Sequence, residues 1–160
     1  NMNMFIISED SDGNLQTSNT ALKENLKTWI NSIRMVNDSV DIMDAIIINI
    51  GIEFEISGKK DVSSTTVFNK AKQELFDQLT EVKPEIGEPF QLTEIFRILK
   101  EVDEVLDVIS VKVVPKVGAN YSDMGFVIEE YLSNDGRVLH FPNHTIWEIK
   151  FKSDITGTVR

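Results

Sequence analysis

Six apolar residues in strict alternation, Ile46, Ile48, Ile50, Ile52, Phe54 and Ile56, constrain this chain more than anything else in it. Side chains of a strand project to opposite faces by turns, so all six fall on one side of a sheet. The other side carries Ile47, Asn49, Gly51, Glu53 and Glu55, polar toward its end. Slipping the register by one residue would turn every apolar group into water, so the pairing is strongly specified. The stretch from Ala45 to Ser57 therefore predicts a long central strand, with the helices on either side in sequence packed against it.

The flanking segments read as helices. Ser18, Asn19 and Thr20 form a capping cluster, and Leu22, Leu26, Trp29, Ile30, Ile33 and Val36 recur at three and four, predicting one helix to about Val36. That stripe places Trp29 in the core, with an interface anchor as the alternative. Asn37, Asp38 and Ser39 end it. Ser63 or Ser64 caps a second helix to about Thr80, with Val67, Phe68, Ala71, Leu75, Phe76 and Leu79 on its inner face. Pro84, Gly87 and Pro89 break the pattern, since proline cannot continue a helix. Thr93 is the expected cap of a shorter third helix carrying Ile95, Phe96, Leu99 and Val102, and a strand from Leu106 to Val114 follows.

Beyond Gly118 the pattern is β-rich to residue 160. Phe126 to Leu132 and Arg137 to Phe141, joined by Ser133-Asn134-Asp135-Gly136, predict a hairpin. Thr145 to Lys152 alternates Trp147, Ile149 and Phe151 with Glu148, Lys150 and Lys152, which predicts a half-buried strand. The fold class that follows is α+β: a mixed or antiparallel sheet, two long helices on one face, and a β-rich segment over 118–160. One domain over 1–160 is expected, because no linker or repeat divides the chain.

Composition narrows function mainly by exclusion. The net charge of −10 opposes a phosphate backbone or an anionic lipid surface, so neither nucleic acid nor membrane is an expected partner. The absence of cysteine rules out disulfides and thiolate metal sites. Asp10, Asp12 and Gly13 half-resemble a calcium loop, but the position that needs a bidentate glutamate is Asn19, so a turn is the expected role. Glu101, Asp103, Glu104 and Asp107 read as a solvated corner rather than a metal site. His140 and His144 flank Pro142-Asn143, where a helix that would align them is disfavoured, and no third ligand is evident. No catalytic residue, cofactor or metal is expected.

Four segments taken together resemble a known family. They are the helix with Trp29-Ile30-Asn31-Ser32-Ile33-Arg34, the helix from Phe68 to Leu79 running into Glu85-Ile86-Gly87-Glu88-Pro89-Phe90, the stretch Val105-Leu106-Asp107-Val108, and Phe141-Pro142-Asn143-His144-Thr145-Ile146-Trp147-Glu148-Ile149. Their order over about residues 20 to 155 resembles the C-terminal part of the baseplate J family, which includes the baseplate wedge subunit of T-even-type contractile-tailed phages. Ile86-Gly87-Glu88-Pro89 stands where that family enters its short helix. Glu104-Val105 departs from the glycine-valine pair of many relatives.

The resemblance implies structural work in a virion. Family members form the baseplate ring that joins wedges, bind other baseplate wedge subunits, and rearrange when the sheath contracts and the genome is ejected. They are assembled in the host cytoplasm and carry no catalytic residues. Since the chain opens with Asn, it is expected to be a C-terminal piece of a longer wedge protein. Self-association as a dimer or ring is expected, with Phe5, Ile7 and Trp147 as interface residues. The strand edges at Met4 to Ser8 and Thr145 to Lys152 are templates for a neighbour's strand, unless the chain's own sheet covers them. The competing readings are a small acidic intracellular adaptor that binds a partner by strand addition, and a metal-dependent hydrolase built on His140 and His144.

Overall fold

The computed structural model describes residues 1–36 and 38–160. The fold is α+β with both parallel and antiparallel strand pairs. Where the sequence suggests one domain, the chain packs as two compact units, Asn1–Ile47 and Ile48–Arg160.

The first unit begins with strand β1 (Met2–Ile6) and a small hairpin, β2 (Ser8–Glu9) with β3 (Leu15–Gln16). The hairpin turns on Gly13, at φ 79°, and Asp10 holds it by accepting from the amides of Asp12 and Asn14 at 2.9 Å each. The acid expected to belong to a turn is thus its capping group. Helix α1 (Thr20–Ile33) follows, with the Asn19 side chain accepting from the Leu22 amide at 2.7 Å. It stops three residues before Val36, and of the expected terminator Asn37-Asp38-Ser39, Asn37 lies outside the described residues. Strand β4 (Val40–Asp44) then pairs in parallel with β1, Phe5 opposite Met43.

The second unit is built on strand β5 (Ile46–Gly58). Ile48, Ile50, Ile52, Phe54 and Ile56 are all buried, as the alternation requires. Asn49 and Gly51 are buried as well, so the first half of the strand is covered on both faces and only Glu53 and Glu55 reach the open side. Helix α2 (Ser64–Glu81) is capped by Ser63, whose hydroxyl accepts from the Thr66 amide, and buries Val67, Ala71, Leu75 and Leu79. Strand β6 (Phe90–Gln91) leads directly into α3 (Leu92–Glu101). Thr93 is not its cap: the helix starts one residue earlier, at a Gln91 that makes no side-chain capping bond, because residue 91 is still held in a strand pair.

Strand β7 (Val105–Pro115) runs antiparallel to β5, with irregularities that leave Leu106 and Ile109 unpaired and exposed. The expected hairpin after Gly118 forms only at its base. Ser133 to Gly136 make the turn, with Gly136 at φ 70°, and Leu132 bridges Leu139. Its first arm is instead the short helix α4 (Ile128–Tyr131), which brings Phe126 and Tyr131 onto the Phe141 ring. The second arm, β8 (Val138–Leu139), takes β6 as its partner.

The expected half-buried strand ends early. Strand β9 (Thr145–Glu148) is buried at every position and pairs with β5. After a single 3-10 turn (Lys152–Asp154), strand β10 (Ile155–Val159) adds to β5 in parallel. Helices α2 and α3 pack on this β10-β5-β7 sheet, while α1 packs on β4 within its own unit. Among the described residues no helix is long and apolar enough to cross a membrane.

Candidate assembly surfaces

Helix α1 departs furthest from its expected role. The stripe that predicts a core-facing helix buries only Ile30. Leu22 is 47% exposed, Trp29 60% and Ile33 65%, while Met35 and Val36 just past the helix are in solvent. The physical reason is angular. Ile30 and Lys23 share the side toward β4, where the Lys23 ammonium meets the Asp44 carboxylate at 2.5 Å. Leu22, Leu26, Trp29 and Ile33 line up one step round the helix, outside that contact. Trp29 is therefore an exposed aromatic.

Phe5 and Ile7 are half-buried on and just beyond β1. Among the described residues β1 pairs with β4 and with no other strand, so one edge of each is open. A two-stranded parallel ribbon is an unusual end state, since parallel strands are ordinarily covered on both faces and short ribbons are marginal alone.

Trp147 is interior. Its ring meets Phe90 edge to face at a centroid distance of 4.9 Å. It also forms part of the wall of a groove of about 830 Å³, whose apolar lining includes Leu79, Val82, Pro84 and Pro89 and whose rim carries Glu85, Glu88 and Glu94. Its Nε1 is the one buried side-chain polar atom without a hydrogen-bond partner among the described residues. Gly87 shapes the groove's end. It sits at φ 82°, donates its amide to the Thr145 carbonyl at 2.7 Å, and lies so close to Asn143 that a Cβ would approach its carbonyl oxygen to 3.0 Å. Glycine is required there on both counts.

The C-terminal edge proposed for strand addition is taken up by the chain itself. Glu148, expected on a solvent face, is buried and accepts from the Asn49 side chain at 3.2 Å, while the Asn49 oxygen accepts from the Ser122 amide at 2.7 Å. Alternation misled here because a polar residue with a buried partner need not face water.

The ionisable groups are engaged in structure. Arg97 bridges Glu94 and Glu101 along α3, and Lys70 pairs with Glu104. The hydrogen bond from Lys70 holds the Glu104 carboxyl below its usual range, and that from Arg97 does the same for Glu94. His140 is exposed and His144 half-buried, either side of the Pro142-Asn143 turn. Among the described residues no three acids or histidines converge as a metal ion needs. What the surfaces offer chemically is apolar contact and open backbone edges. Comparison of the sequence with known protein families finds no matching family model, and comparison with curated proteins finds no match.

Proposed function

We propose that this chain is a structural subunit of a contractile-tail baseplate, which associates with copies of itself and with other wedge subunits and does no catalysis. The observation that carries this reading is the apolar surplus of the first unit. Residues 1–47 bury Leu15, Ile30, Val40 and Ala45, yet leave Met2, Leu22, Trp29, Ile33, Met35, Val36 and Met43 exposed. Exposed apolar groups scattered singly are ordinary, but a row of them on one helix marks a contact surface. The family resemblance supplies the setting, and two of the segments that carry it fold together: Gly87 bonds to Thr145, and Phe90 stacks on Trp147.

Antibody raised against the chain is expected to decorate the baseplate end of contractile tails. Decoration elsewhere, or none on intact tails that contain the chain, overturns the reading. The open edges of β1 and β4 favour the adaptor as the second reading. An adaptor would remain monomeric and take up an extended peptide, whereas a ring subunit gains mass with concentration in light scattering.

A further inference from the structure

We propose that the exposed face of α1 is a two-fold contact, in which it pairs antiparallel with α1 of a second copy of this chain. The proposal rests on the self-association reading and names its surface. Leu22, Leu26, Trp29 and Ile33 follow one another at four, three and four residues. That is the 3.5-residue period of a helix-on-helix seam, narrower than the stripe of a helix facing a globular core. The helix already has its intramolecular side, at Ile30 and Lys23. The seam is additional to it.

The sequence makes the seam self-complementary in one direction. With a two-fold axis between Lys27 and Thr28, Leu22 meets Ile33 of the second copy and Leu26 meets its Trp29. The axis then repeats both contacts, so all four positions are used on each side. Each layer joins a leucine to a larger or branched partner. A parallel pair would instead force Trp29 onto Trp29 and align the two helix dipoles.

The charges agree with this choice. In the antiparallel pair Asn25 flanks Ser32 of the second copy and Lys23 flanks its Ile30. Lys27 and Arg34 sit further round the helix, away from the seam, so no like charges are brought together. A contact of this length buries about 1,000 Å² in total, the lower bound for a specific interface, so the isolated chain dimerises weakly, with a dissociation constant in the micromolar range.

The chain has no cysteine, so each single substitution supplies one thiol. Leu22→Cys and Ile33→Cys variants are mixed in a glutathione redox buffer, with Lys60→Cys as an exposed control. The 22-to-33 cross-link is expected to dominate over 22-to-22, 33-to-33 and any product of the control. In parallel, light scattering of the unsubstituted chain is expected to show a concentration-dependent dimer. Trp29→Glu should weaken that dimer about thirtyfold or more, as loss of a central aromatic anchor does, with helix content by circular dichroism unchanged.

A monomer at every concentration overturns the seam and removes the self-association beneath it. A dimer indifferent to Trp29→Glu, with cross-links no better than the control, overturns the seam but leaves self-association standing on another surface. Dominant same-site cross-links overturn the antiparallel arrangement. A monomer that binds a different protein's helix through α1 overturns the choice of a second copy.

Discussion

Tyr121 donates its phenol proton to the Asp154 carboxylate at 2.5 Å, and that hydrogen bond, then burial, then the carboxylate's charge, push its pKa up to about 12. Asp154 is buried, and its second oxygen accepts from the Phe151 amide at 3.2 Å. The linkage has a definite sign. A group that keeps its proton longer in the folded state contributes stability that is present below its unfolded pKa, near 10, and lost as pH rises toward 12. In a Tyr131→Phe background, phenolate absorbance should therefore report a single tyrosine with a midpoint near 12, and Asp154→Ala should return it toward 10. A midpoint near 10 before that substitution would mean the bond is not held in solution. Neither residue stands out in the sequence, because the two are brought together only when the 3-10 turn aims Asp154 inward.

At the scale of elements, the same apolar residue types serve opposite purposes on β5 and α1. Ile52 is fully buried in the sheet, and Ile52→Ala should cost about 2–5 kcal/mol in denaturant unfolding, the transfer loss plus the cavity. Trp29→Ala removes a larger side chain, yet in the dilute monomer it should cost about 0.5 kcal/mol or less, since most of the indole is already in water. A loss at Trp29 comparable to that at Ile52 would show that α1 packs inward after all. The β7 edge makes a related point. Its two irregularities at Leu106 and Ile109 disturb the ladder, the usual means by which an edge resists unwanted pairing. The regular, open edges are those of β1 and β4.

For the whole molecule, charge and apolar surface oppose one another. Each copy carries −10, so two copies repel at low ionic strength while the α1 seam draws them together. Raising the salt screens the repulsion and leaves apolar contact intact. The dimer fraction measured by sedimentation should therefore rise with ionic strength. A fall would point to a contact held by ion pairs instead.

The sequence by itself determined the elements whose pattern is local. Period-two alternation specified β5 and its buried face, Ser63 specified the start of α2, and Asp-Gly pairs specified two turns. Only the tertiary structure decided what each apolar stripe would meet. The α1 stripe reads as core yet lies in solvent, and Glu148 reads as solvent-facing yet lies buried against Asn49. β10 escaped notice because ITGTV is short and gains its place from a parallel partner some hundred residues away, a pairing no local period announces. The physical reason is common to all three cases. Periodicity fixes which side chains share a face, but whether that face is covered depends on contacts between segments distant in sequence, and in an assembly it depends on surfaces outside the chain.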